Sequence, residues 1–219
     1  MLNPKLYRGC FERIYVFSNT GPNGEERALD RTWDEVQDYS QKVLKVDQRR
    51  EKTFFNTMDE RALDDILKQW LALGDAMKER IEAGKHKNEV KGAVIILDDY
   101  IDNHRFARTS PIIEALASRS RHCFLSCWFS VQSYRAVMPL VRRTVRVTYC
   151  FKLRNSACFK ALQEEVGNVI GKEGFQKVYE EGTKEPHSFL TIRIDQPNDM
   201  FFKRFSDRLS YQPVDPHRS

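Results

Sequence analysis

The most constraining stretch of this chain is Gly92-Ala93-Val94-Ile95-Ile96-Leu97-Asp98-Asp99-Tyr100, an apolar run that ends abruptly in two adjacent carboxylates. The run is short, rich in β-branched residues and bounded by Gly92 and by polar Asp102 and Asn103. These features predict a strand covered on both faces, as found in the middle of a parallel sheet. A parallel sheet requires crossover connections, so the strand commits the chain to an α/β class. In open α/β sheets ligands bind outside the carboxyl ends of the strands, where the two acids sit.

Two readings of the acids follow. In one, a hydrophobic strand followed by Asp-Asp is a Walker B pattern: Asp98 holds Mg²⁺ through its water shell, and Asp99 orients or deprotonates the water that attacks a γ-phosphate. In the other, the acids simply cap the next helix.

With 219 residues, 41% of them hydrophobic, the chain has the material for one sizeable core. The expected organisation is one domain over 1–205 and a polar tail over 206–219. No run reaches the roughly 18 apolar residues of a membrane span, and the first residues lack the apolar centre of a signal peptide, so an intracellular setting is expected. Cys10, Cys123, Cys127, Cys150 and Cys158 are odd in number and lie mostly among apolar neighbours, which reads as buried thiols. Cys123 and Cys127 are placed on one face of a strand without a histidine cluster, and no zinc site is expected. The net charge is only +5, yet 115–163 contains no Asp or Glu while holding Arg119, Arg121, Arg135, Arg142, Arg143, Arg146, Lys152, Arg154 and Lys160. That block is either a surface for a polyanion or a solvated basic face.

Along the chain, 1–10 reads as the end of a helix closed by Gly9, and 13–18 as a short buried strand. The loop 19–26 contains glycines but lacks the lysine and hydroxyl of GxxxxGK[ST], and Glu25 and Glu26 oppose phosphate. A helix is expected from Thr32 with Glu35 completing a capping box. A longer one over 59–83 carries Leu63, Ile66, Leu67, Trp70, Leu71, Leu73 and Ala76 at helical spacing, with its Met and Trp as core. Pro111 opens another helix. A strand follows over 121–128, with Gln132 beyond its end and beside Asp99. Residues 133–141 form a helix or turn broken by Pro139, 144–151 a strand, and 155–170 a helix ended by Gly171. A helical turn or two follows over 175–181, and 188–194 is the last strand. Gly167 to Lys172 is a decoy, since its spacing is short and Glu173 replaces the hydroxyl.

Together, the Asp98-Asp99 strand, the helix after it, Ser120-Arg121-His122 opening a strand that ends near Gln132, and Met138-Pro139-Leu140-Val141-Arg142 resemble the virion DNA-packaging ATPases of poxviruses and other large DNA viruses. Arg13 to Ser18, and Trp33 after its loop, add to the resemblance, which spans roughly residues 1–162. That family belongs to the FtsK/HerA branch of P-loop motors. The resemblance implies a three-layer RecA-like core with a mostly parallel sheet, ATP and Mg²⁺ as cofactors, double-stranded DNA as substrate and a homo-oligomeric ring. It also implies a setting in a cytoplasmic virus factory or virion if the source is viral.

Carried over by position, Asp98 coordinates Mg²⁺, Asp99 is the catalytic acid, Gln132 senses the γ-phosphate, and Arg142 is the finger offered to a neighbour's nucleotide. Arg105 and Arg108, in the loop after the catalytic strand, are the candidate DNA contacts. The family's first strand and Walker A loop are not found, so the expected core is N-terminally incomplete and, as it stands, inactive in hydrolysis. Thr144 stands where the family favours Asn. The alternative reading is a non-catalytic, degenerate relative that serves as a DNA-binding or structural subunit.

Overall fold

A computed structural model describes residues 7–19, 32–84, 91–99 and 109–211. The chain divides after Gln132 into two compact units, each with its own four-stranded sheet.

The first unit is α/β with a wholly parallel sheet. Strands β1 (Phe11–Phe17), β2 (Phe54–Phe55), β3 (Gly92–Asp98) and β4 (Leu125–Ser130) lie in the order β2-β1-β3-β4. The expected central strand is therefore central, flanked by β1 and β4. Ala93, Val94, Ile95 and Leu97 are wholly buried and Ile96 nearly so, as an apolar run covered on both faces demands. Tyr7–Cys10 is a turn in which the Cys10 N–H donates to the Tyr7 carbonyl and Gly9 takes a left-handed φ of +83°. Helix α1 spans Thr32–Lys42; the side chain of Thr32, and with it the expected capping box, lies outside what the structure describes. Strand β2 follows the charged stretch 45–53. It is anchored because the Val16 and Ser18 N–H groups donate to the Thr53 and Phe55 carbonyls.

Helix α2, Glu60–Glu82, starts at Asp59, whose carboxylate accepts from the N–H groups of Arg61 and Ala62 and satisfies two otherwise orphaned donors. Leu63, Ile66, Leu67 and Trp70 are buried as expected, but Leu73 is 40% exposed, Ala76 is exposed and Met77 only half-buried. Gly74 takes the core position instead, because a Cβ there would meet the Cys123 Cα at 2.8 Å. Behind β1, Tyr15 is almost fully buried, with its hydroxyl donating to Glu51 and accepting from the Trp70 indole. Burial, the largest cause, and the Glu51 carboxylate hold that hydroxyl protonated.

Helix α3, Pro111–Arg119, opens on proline as expected. The strand expected over 121–128 begins later: Ser120–Cys123 is a 3-10 turn, and Phe124, at φ +58°, reverses the chain before β4 starts at Leu125. Cys123 is thus in the turn and Cys127 in the strand, and they do not share a strand face.

The second unit holds α4 (Pro139–Thr144), β5 (Val147–Phe151), α5 (Ser156–Val166), α6 (Gly171–Gly182), β6 (Phe189–Arg193), β7 (Phe201–Lys203) and β8 (Asp207–Arg208). Its sheet is wholly antiparallel, in the order β5-β6-β7-β8, so the described residues hold a second sheet beside the parallel α/β sheet that the sequence predicts. Pro139 opens α4 instead of breaking a helix, its missing N–H being no loss at the first helical position. Gly171, at φ +72°, is the joint between the 3-10 turn after α5 and the three-turn α6.

Strand β6 is not the last. The aromatic, basic segment after it is β7, with Phe201 and Phe202 buried, and Asp207–Arg208 pair with it where a polar tail begins in the sequence reading. The core of this unit gathers Cys150, Leu162, Phe175, Val178, Leu190, Ile192 and Phe201. No helix among the described residues is long and apolar enough to cross a membrane.

Candidate functional site

The site lies at the carboxyl end of β3 and is assembled by sheet register. Phe17 pairs with Leu97, and Asp98 pairs with Ser130. Because parallel neighbours in register present side chains to the same face, Ser18, one residue beyond Phe17, comes alongside Asp98. The Ser18 hydroxyl donates to Asp98 Oδ2 at 2.9 Å, and the Ser18 N–H donates to the Phe55 carbonyl at 3.0 Å. Ser18 is 2% exposed, while Asp98 is half-buried. One wall of the site is therefore a fixed hydroxyl and the other side opens to solvent.

Asp99 is placed differently. Its N–H donates to the Ser130 carbonyl at 3.2 Å, continuing the ladder one step beyond the strand, and its φ of +49° is left-handed. A non-glycine residue in that region costs of order 1 kcal/mol. Gln132, two residues past the end of β4, reaches back so that its amide Nε2 donates to Asp99 Oδ1 at 3.4 Å. The structure thus brings Asp98, Asp99 and Gln132 together, with Gln132 beside Asp99 as its position in the sequence suggests. Helix α3, the next described helix, has Ser110 at its N-cap position; the reading of the acids as a helix cap falls on residues outside those described.

The side chains gathered here offer oxygen: the Asp98 and Asp99 carboxylates and the Ser18 hydroxyl. Magnesium prefers hard oxygen ligands, keeps several waters and is commonly held by one or two carboxylates with the phosphates supplying the rest. An open Asp98-Asp99 pair fits the hydrated ion, which needs only one or two protein carboxylates.

Arg142 lies in the second unit, on α4. Its Nη1 is 3.0 Å from Glu165 Oε1, its side chain is 16% exposed, and its guanidinium lies 5.4 Å from the centre of the Tyr134 ring. The Tyr134 hydroxyl donates to Glu165 Oε2 at 2.6 Å. Burial first, and Glu165 second, hold that hydroxyl protonated. The arginine read as a finger for a neighbouring molecule is matched in charge by a glutamate of its own unit. Arg105 and Arg108 lie outside the described residues.

Sequence reasoning missed the roles of Ser18 and Ser130. The available signal was that each is the first polar residue at the end of an apolar strand, as Asp98 is; register alone joins the three into a row.

No family model matches the chain, and no curated protein matches it. Solved structures do. The pCW3 conjugation coupling protein TcpA, in its monomer form with ATPgS, aligns at a TM-score of 0.48 and 12% identity over 92% of this chain and 51% of its own, so this chain spans about half of that protein. The genome packaging NTPase of Sulfolobus turreted icosahedral virus 2 in complex with ATP-gammaS aligns at 0.46 and 15% identity, covering 92% and 97%. The DNA-packaging ATPase of Sulfolobus turreted icosahedral virus aligns at 0.45 and 14% identity, covering 94% and 100%. At scores of this size the reading of the site rests on the chain's own geometry.

Proposed function

We propose that this chain is a RecA-like motor domain of the FtsK/HerA type, one that handles a Mg²⁺–nucleoside triphosphate and moves double-stranded DNA in a packaging role, working as a homo-oligomeric ring. The observation that carries the reading is the Asp98-Asp99 pair at the carboxyl end of the central parallel strand, with Gln132 from the adjacent strand on Asp99. In this reading Asp98 would hold a hydrated Mg²⁺, and Asp99 would orient the attacking water and take its proton. Gln132 holds Asp99 Oδ1 and meets the γ-phosphate. Bound Mg²⁺ supplies charge neutralisation at the β/γ-phosphates. Arg142 serves as a finger in a ring only after leaving Glu165, and Arg105 and Arg108 face the DNA.

The 219 residues contain no GxxxxGK[ST]. Phosphoryl transfer depends almost entirely on positioned charge and backbone donors around the phosphates, so residues 1–219 alone are expected to give no ATP turnover above background in a coupled phosphate-release assay. Turnover that vanishes in Asp99→Asn would overturn this expectation and mean that another element replaces the missing loop. The Arg142–Glu165 pair favours the second reading, a non-catalytic DNA-binding or structural subunit. The two readings separate on nucleotide: the first requires Mg²⁺–ATP to bind at Asp98, and the second does not.

Both readings expect weak, sequence-independent binding to double-stranded DNA through arginine contacts to phosphate. In gel-shift titrations, log K is expected to fall by about 0.9 per phosphate contact for each unit of log salt. Arg105→Ala with Arg108→Ala should weaken binding, and Arg142→Ala should leave it unchanged because Glu165 already neutralises that charge. The opposite pattern would move the DNA surface to the acid-free block.

A further inference from the structure

We propose that Ser18 is the positioning residue of the acid pair: its hydroxyl fixes the rotamer of Asp98 and thereby sets the affinity of the site for a hydrated divalent cation. The inference rests on the proposed function and deepens it. Ser18 is almost fully buried, so its hydroxyl has little water to turn to, and it donates to Asp98 Oδ2 at 2.9 Å. Its backbone is held in the ladder by the bond from its N–H to the Phe55 carbonyl, so the donor cannot drift. The bond to Oδ2 fixes the carboxylate plane and with it the direction of Oδ1. A hydroxyl committed in this way orients the carboxylate before anything binds and removes the entropy that a free aspartate would lose on binding. Groups that orient metal-holding side chains are typically worth 10- to 100-fold in metal affinity.

The test uses matched shapes. Threonine keeps the hydroxyl at this position and valine replaces it with a methyl group of the same size. Binding of the Mn²⁺–ATP complex to residues 1–219 is followed by water-proton relaxation, and binding of ATP without metal is the control. Ser18→Val is expected to weaken Mn²⁺–ATP binding about tenfold, with metal-free ATP unaffected, while Ser18→Thr stays within about twofold of the unaltered chain. Both variants should unfold cooperatively, with the midpoint of Ser18→Val the lower because it lacks the hydrogen bond to Asp98. Equal affinity in Ser18→Val and Ser18→Thr would overturn the positioning role while leaving the proposed function standing. Absence of Mn²⁺–ATP binding in the unaltered chain would overturn both.

Discussion

Replacing Gly92 by alanine should cost about 3 kcal/mol or more of folding stability, at the upper end of what overpacking does. The Cβ of an alanine there would sit 1.9 Å from the Phe124 carbonyl oxygen and 2.9 Å from its carbonyl carbon. Both are backbone atoms, so no rotamer change relieves the contact. The Phe124 carbonyl cannot move away without loss either, because it accepts from the Ala93 N–H at 3.0 Å and starts the β3–β4 ladder. Its residue already occupies a left-handed conformation at φ +58°, which leaves little room for the turn to re-form. Against a total stability of 5–15 kcal/mol for a typical domain, a loss of this size shows as a clear drop in the urea midpoint. A midpoint unchanged to within about 0.5 kcal/mol would mean that β3 does not enter the sheet beneath Phe124.

The second large effect is expected at Asp98. Asp98→Asn keeps a side-chain oxygen that can accept from the Ser18 hydroxyl, so the fold should hold, yet it removes the charge that attracts a hard cation. Binding of Mn²⁺–ATP should fall by more than about 100-fold, beyond the loss attached to a merely orienting group. Asp99→Asn should behave differently. Asparagine tolerates the left-handed φ of +49° well and can still meet Gln132, so metal binding should drop much less. An Asp99→Asn loss equal to that of Asp98→Asn would make both acids direct holders of the cation and remove the separate role given to Asp99.

The parts of this picture that could be read from the sequence are those fixed by local chemistry. An apolar β-branched run ending in two acids specifies its own strand, and its bounds matched closely, as did those of α2 and β6. Gln132 could be placed beside Asp99 because parallel strands end on the same side of a sheet, so residues at similar offsets beyond two adjacent strands converge. Ser18 was in view as the last residue of its strand, but its bond to Asp98 depends on the pairing of Phe17 with Leu97, and a single sequence carries no inter-strand register.

The same gap hid Arg142's partner. Glu165 is 23 positions away on another helix, and a block read as free of acids was neutralised at that point from outside itself. The late start of β4 followed from Phe124, a bulky residue at positive φ that no turn rule anticipates. Strands β7 and β8 were missed because a three-residue and a two-residue strand give too few positions for alternation to show. In α2, spacing placed Leu73 in the core, whereas the close approach of Cys123 required a glycine at position 74 and left Leu73 outside.

Paramagnetic broadening of backbone amide resonances by Mn²⁺ in the presence of ATP tests the assignment of the site most directly, since it maps a cation even when binding is weak. The expected result is broadening centred on Ser18, Asp98, Asp99, Ser130 and Gln132, present with Mn²⁺ and ATP together and absent in Asp98→Asn. Broadening centred elsewhere on the chain, or unchanged in Asp98→Asn, would contradict a cation–nucleotide site at the end of β3.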